Sequence, residues 1–355
     1  MGSRIPENKD LSTNKLSSVF NNTAASYKFY WFISLIQLFS DRRENTIPVR
    51  DILIKMICNA WYPINYFMLN FGYSDKLNEN IFLIQKLLKV PIDSSTDNLY
   101  KLLQNTENPS VNKLIFHFEQ LVPYRFLSPW IKGSKTEVIR KSQNFTGNCL
   151  YRLNQENTKT IEINPAWKDY LLFNSKILLD FSYWNLLQYL QIRNPNIPNI
   201  GNKLIKPIKR ENLSRQRNFW NFVISETRYL KCIYTGKKLQ PGDYDIEHFI
   251  PWSFVSHNQL WNLIPADSSV NSSKGNKLPS LEKYFESFVT VHYDAINIAV
   301  KKNLNPKLLE DYLTLGPNIE IIGQRSYAVF KEKYYQLISP LIQIAGNSGF
   351  EHWNN

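Results

Sequence analysis

Cysteine is scarce in this chain of 355 residues: there are three, at positions 58, 149 and 232, widely spaced and odd in number. They give no disulfide framework, and the expected compartment is reducing, hence cytoplasmic. Long apolar runs are also missing. The longest, Phe29 to Phe39, falls well short of the about 20 residues needed to span a bilayer, so it reads as a buried helix and no membrane partner is expected. The opening residues are polar and carry no signal-peptide pattern. No internal repeat or low-complexity tract occurs. Acidic residues are the minority, 30 against 42 Lys and Arg, which leaves a net charge of +12 and favours a polyanionic partner. The chain is not disordered: 43% of it is apolar and 14% aromatic, enough for substantial cores.

The excess positive charge is unevenly placed. Between Lys203 and Lys238 lie ten Lys and Arg against only Glu211 and Glu226. Such a stripe gives salt-sensitive, sequence-independent affinity for nucleic acid, because each neutralised phosphate releases counterions. Helical periodicity marks Ser26–Ser40, Val49–Leu69, Asn78–Leu88, Leu99–Gln104 and Val111–Leu121, with turn signals between them. Trp61, Tyr62, Tyr66, Phe67 and Phe71 read as core, and Val122–Phe126, which contains Arg125, as a packed loop. Short strands are predicted at Glu137–Arg140, Cys149–Asn154 and Thr160–Ile163, forming a small hairpin or meander. A helix is predicted from Pro165 to Leu190. The Pro- and Asn-rich connector Arg193–Asn199 places a domain boundary near residue 200. Beyond it come a helix over Ser214–Thr227 capped by Ser214, then helices at Leu281–Lys302, Pro306–Leu315 and Ser326–Ile344.

The most informative stretch is Tyr244-Asp245-Ile246-Glu247-His248-Phe249-Ile250-Pro251-Trp252, followed by Trp261-Asn262-Leu263 and Asn271-Ser272-Ser273-Lys274. Cleaving a phosphodiester requires an activated water and stabilisation of charge on the phosphate and the departing oxygen. An imidazole can take the water's proton near neutral pH. A hard divalent cation prefers oxygen ligands and needs only one or two from the protein. His248 is the candidate base, while Glu247 offers a carboxylate and Asn271 an amide oxygen. Residues 244–249 alternate as a short strand after the Gln240–Asp243 turn, and Asp267–Lys274 reads as a helix. Neighbouring strand residues face opposite ways, so Glu247 and His248 meet one phosphate only if the strand ends or bends there, which Pro251 favours. Asn262 falls in a loop whose backbone its side chain is suited to tie together.

These residues resemble an HNH endonuclease of the ββα-metal (His-Me finger) superfamily, in the form seen in type II CRISPR effectors and related bacterial HNH defence proteins. The resemblance covers roughly Lys231 to Pro279. It implies that His248 is the general base, Asn262 the loop-bracing residue of the catalytic set, and Glu247 with Asn271 the ligands of one Mg2+ or Mn2+. Asp245 stands behind those ligands. Lys274 and Lys277, with Lys209, Arg210, Arg215 and Arg217 from the preceding segment, are the expected nucleic-acid contacts. Many relatives hold a structural zinc with two Cys-x-x-Cys pairs. Here Cys232-Ile233-Tyr234-Thr235 keeps one cysteine of the first pair, so no structural zinc is expected and packing must hold the finger.

The expected class is α+β: a mostly helical N-terminal region with a small hairpin or meander, then the finger, then C-terminal helices. The expected division is 1–20 a flexible N-terminus, 21–200 a helical recognition or regulatory domain, 201–280 the finger with its basic leading helix, and 281–355 a helical extension. The resemblance implies a DNA endonuclease of anti-phage defence or restriction. RNA stays open, since the site reads a phosphodiester and not a base. One finger cuts one strand, so duplex breakage calls for a homodimer or two nicks. Two alternatives stand beside this reading. One is an effector subunit silent until a sensor or ATPase partner binds, and the other a nucleic-acid-binding module that does not cut.

Overall fold

A computed structural model describes residues 5–154, 159–206 and 211–353. The protein is α+β, with helices predominating and three small antiparallel sheets among the described residues. It divides into two compact units, Met1–Pro195 with Lys203–Lys206, and Asn196–Asn202 with Pro207–Asn355.

The first unit is built around a helix with no polar face. In α1 (Tyr27–Arg42) every residue from Phe29 to Phe39 except Gln37 is buried, the pattern of a helix surrounded by others. Its neighbours are α2 (Val49–Asn65) and, further along the chain, α4 (Ser175–Arg193). The Asn59 amide of α2 donates to Ser34 Oγ at 3.0 Å and to Gln37 Oε1 at 2.9 Å, which ties the two helices together through one polar cluster. α2 stops four residues short of the predicted Leu69, and Met68 just beyond it takes a left-handed φ of 53°. Next, α3 (Lys76–Leu88) opens on Asp75, whose carboxylate accepts from the Leu77 amide.

Three strands, β1 (Thr46–Pro48), β2 (Tyr151–Leu153) and β3 (Thr160–Ile163), make a sheet in the order β1-β3-β2. Ile47, Tyr151, Leu153, Ile161 and Ile163 are buried, while Arg152 and Glu162 pair at 2.6 Å on the alternate positions.

Five expectations for this unit need correction, the first being Val122–Phe126, which is a short helix with Val122, Pro123 and Phe126 buried and not a packed loop. Glu137–Arg140 is not a strand but part of a helix, Lys135–Ser142. Ser134 and Glu137 close a reciprocal capping box there, a start signal that outweighs the short β-like run. The predicted helix over Pro165–Leu190 breaks at Asn174 into Lys168–Phe173 and α4. Ile47-Pro48, read as a turn, forms the edge strand β1, where a proline is tolerated. The expected flexible N-terminus 1–20 is docked along its described part: Leu16, Val19 and Phe20 are buried, and Phe20 stacks on Phe181 at 5.4 Å. A few apolar residues in a polar segment suffice to anchor it.

The second unit begins its regular structure with α5 (Ser214–Thr227). Ser214 is its first helical residue and not its cap; the Asn212 side chain accepts from the Ser214 amide instead. A two-residue ladder, β4 (Leu230–Lys231) with β5 (Lys238–Leu239), precedes the pair β6 (Asp245–His248) and β7 (Leu263–Ala266). The short α6 (Ser268–Lys274) follows, then the long α7 (Leu281–Lys301) and α8 (Tyr327–Asn347). The predicted helix at Pro306–Leu315 is two 3-10 turns, Pro306–Leu308 and Glu310–Leu315. Near the C-terminus Leu278 pairs with the 351–353 segment, which brings Trp353 against Tyr234 and Tyr284.

At the centre of this unit His292 is fully buried among Trp220, Phe288, Tyr312 and Tyr334, with Nδ1 2.8 Å from the Tyr312 hydroxyl. Burial pulls its pKa from 6.5 down to about 3. Between those values the unfolded chain binds a proton that the folded unit refuses, so stability rises with pH through that window. We expect the urea midpoint of the second unit to fall as pH drops from 6.5 towards 4. His292→Leu should flatten that dependence, and an unchanged slope would show that another group carries it.

Candidate active site

β6 and β7 pair antiparallel with Asp245 opposite Ala266, Glu247 opposite Ile264 and His248 opposite Leu263. The pairing stops there because the chain must turn at Pro251, and a side chain takes over. Asn262 is completely buried. Its carbonyl accepts from the Phe249 amide at 2.8 Å, its Oδ1 from the Ile250 amide at 2.8 Å, and its Nδ2 donates to the Ile250 carbonyl at 2.8 Å. Asn262 thus mimics one more strand residue and fixes the position of His248 at the strand end.

On one face of β6, Asp245 and Glu247 look toward α6. That helix is anchored by Asp267, whose Oδ1 accepts from the amide and hydroxyl of Ser269 and whose Oδ2 pairs with Lys237 at 2.9 Å. These contacts hold the Asp267 carboxyl well below the usual carboxylate range. The Cys232 sulfur also caps this end, accepting from the Asp267 amide at 3.4 Å. One turn of α6 separates Asn271 and Lys274. The Asn271 Nδ2 lies 3.5 Å from Asp245 Oδ2, and the Lys274 ammonium lies 2.7 Å from Glu247 Oε1 and 2.8 Å from the His248 carbonyl. Burial pushes the Glu247 carboxyl up, against the pull of Lys274, and pushes the Lys274 ammonium down, against the pull of Glu247.

His248 faces the other way and is half-buried. Its Nε2 is 3.1 Å from Asn258 Oδ1, and the Asn258 amide donates to Glu211 Oε2 at 3.2 Å. Neither Asn258 nor Glu211 stands out in the sequence, where a polar loop residue and an isolated acid are ordinary.

The residues singled out from the sequence therefore fall into distinct groups. Glu247 and Asn271 lie at the β6–α6 corner with Asp245 in contact with Asn271, while Asn262 braces the strand end and the His248 ring faces the other side of β6. Lys274, expected at a phosphate, has no exposed side chain and serves as the counter-ion of Glu247. Arg215 reaches the Lys307 carbonyl at 2.9 Å and Asp311 at 3.4 Å, and Arg217 donates to the Tyr244 carbonyl at 2.9 Å while lying over that ring. Lys277 is exposed near the C-terminal end of α6. Lys209 and Arg210 lie outside the described residues. The basic run is not one stripe: Lys203 is buried in the first unit, where burial lowers its pKa to about 7, and Lys206 there donates to the Asp93 carbonyl.

Among the described residues no three His, Cys, Asp or Glu side chains form a metal-holding group. The donors at the β6–α6 corner are two carboxylates and one amide oxygen, all hard, which suits an Mg2+-like ion that keeps water and phosphate in its remaining positions.

With this geometry, residues 232–280 match the HNH endonuclease family, and this segment is an HNH endonuclease domain. Among curated proteins, the chain is similar to the CRISPR-associated endonuclease Cas9 of Listeria innocua serovar 6a, 31% identical over 91 residues. That alignment takes in 24% of this chain but only 6% of the relative's length. No solved structure matches the chain.

Two substitutions probe how the corner is held. Asn262→Ala leaves the buried Ile250 amide and carbonyl unpaired and should destabilise the second unit by about 2–5 kcal/mol, read from urea unfolding. Lys274→Met strands the Glu247 carboxylate and should cost about 3–5 kcal/mol, with Glu247→Gln/Lys274→Met closer to the parent than the single change. A Lys274→Met protein of parental stability would show that the pair contributes nothing.

Proposed function

We propose that this protein is a divalent-metal-dependent endonuclease that hydrolyses DNA phosphodiesters, using Mg2+ or Mn2+. The observation that carries this reading is His248 fixed at the end of β6 by Asn262, beside the oxygen-rich β6–α6 corner, inside the HNH segment. His248 takes a proton from a water, and the water oxygen forms a new bond to phosphorus. The bond to the bridging ester oxygen breaks, that oxygen takes a proton from solvent, and the imidazolium later returns its proton to solvent. Asp245, Glu247 and Asn271 are the groups to hold the cation, which when bound supplies charge neutralisation at the phosphate and the departing oxygen. Lys277, exposed three residues beyond α6, is the cation offered to a backbone phosphate.

The relative's name associates it with CRISPR, and the sequence pattern is that of defence nucleases. We therefore place the activity in anti-phage defence, in the cytoplasm. The region at 21–200 acts as recognition or regulatory domain, 201–280 as the nuclease finger and 281–355 as its helical extension. A second reading, an effector silent until a partner binds, is favoured by one observation: the Lys274 ammonium already occupies Glu247 Oε1. Cleavage by the protein alone separates the two.

Purified protein should nick supercoiled plasmid with Mg2+ or Mn2+ and stop on addition of EDTA. His248→Ala should lower the rate by about 100-fold or more while leaving DNA binding intact. Full cleavage by His248→Ala with its fold verified would remove the base assignment. Cleavage of RNA but not DNA on parallel substrates would change the substrate class.

A further inference from the structure

The three-residue chain Glu211–Asn258–His248 has a directional logic. A carboxylate only accepts hydrogen bonds, so Glu211 Oε2 at 3.2 Å requires the amide nitrogen of Asn258 on its side. The carboxamide oxygen must then face His248, as it does at 3.1 Å from Nε2. An amide oxygen cannot donate, so Nε2 must carry the hydrogen, and in the neutral ring the lone pair falls on Nδ1. The Asn258 backbone is itself tied down: its carbonyl accepts from the buried Gln216 Nε2 of α5 at 2.8 Å. The base and its partner are thus anchored on separate pieces of the second unit, His248 through Asn262 and Asn258 through Gln216.

We propose that Asn258 is a positioning residue that fixes the tautomer and ring orientation of His248, so that Nδ1 is the atom that accepts the water's proton, and that Glu211 sets Asn258 by excluding the flipped amide. This rests on the reading of His248 as the base. Asn258 touches no substrate; it acts through the ring. An apolar replacement removes the acceptor at Nε2 and with it the contact that selects this tautomer. Contacts of this kind behind a reactive histidine are worth roughly 10–100-fold in activity. Exchanging the partners, Glu211→Gln with Asn258→Asp, keeps a donor on residue 211 and an acceptor on residue 258, so the order survives.

Two measurements test the proposal. In 15N-resolved NMR of the full chain, the His248 ring, assigned by its loss in His248→Gln, should show a protonated Nε2 and an unprotonated Nδ1. Asn258→Leu should mix or invert that state, and the exchanged double variant should keep it. On plasmid with Mg2+, Asn258→Leu should lower kcat at least about 10-fold with KM and duplex binding unchanged, and the double variant should recover most of the rate. The proposal is overturned by a parental His248 protonated on Nδ1, or by an Nε2–H state that persists in Asn258→Leu. It is equally overturned if kcat is unchanged in that variant, or if the loss lies in KM or binding. The NMR arm needs no cleavage. A parent that cuts nothing by itself, yet loses its Nε2–H state in Asn258→Leu, would sink the reading as a self-sufficient nuclease and leave the positioning contact standing.

Discussion

Asn262 is the constraint on which the finger depends. A strand that ends in a functional residue faces a conflict, since its last backbone groups need partners while the chain must turn away from its neighbour. The buried carboxamide of Asn262 resolves this by giving the Ile250 amide and carbonyl the partners that a further strand residue would have given. His248 can then sit at the last paired position, opposite Leu263, with a backbone as firmly held as the interior of the sheet. Everything else at the corner is placed relative to that strand end: Asp245 and Glu247 on one face, Asn258 on the other, and α6 laid across the acidic side. A residue with no access to solvent thereby controls the geometry of one that has it.

Holding so small a β-pair in place takes more than its own two strands. Phe249 stacks on Phe288 of α7 with centroids 4.0 Å apart, and the Tyr334 hydroxyl of α8 donates to the Trp261 carbonyl at 3.2 Å. Tyr244 adds hydrogen bonds to the Arg217 carbonyl and to Asn221 on α5. Around Cys232 the chain forms a tight turn, with the Gly236 amide on the Cys232 carbonyl and φ of 74° at Gly236. The sulfur of this turn is spent on the start of α6. Packing of α5, α7 and α8 against the strands, together with this sulfur contact, is what stabilises the finger here.

The sequence made the finger legible because its informative residues are close together and their chemistry is local. The alternation of residues 244–249, the turn before them and the polar start of α6 all show in a short window. The brace by Asn262 could be read from its loop position. Partners that depend on side chains meeting across the fold stayed hidden. A lysine three residues after Asn271 looks like a phosphate contact until the structure shows that it lies under the strand with Glu247. Arg215 and Arg217 likewise look like a basic surface until their hydrogen bonds to carbonyls appear. Asn258 and Glu211 gave no signal, because their role exists only once His248 is in place. In the helical region periodicity found the long elements, while short ones went astray where a cap overrode a β-like run, as at Ser134 and Glu137.

The Glu247–Lys274 pair carries a consequence for how this sequence can drift. Positions 247 and 274 are 27 residues apart and share one buried charge couple, so neither is free to change alone. Loss of the ammonium leaves an acid in a dry site, and loss of the acid leaves a base there. The viable routes pass through paired replacement, or through a neutral intermediate at one position that is soon answered at the other. The extra methylene of glutamate over aspartate belongs to the same couple, since arm length at 247 and reach at 274 must add up to one separation. Transplanting either residue from a relative without its partner would import half of an interaction.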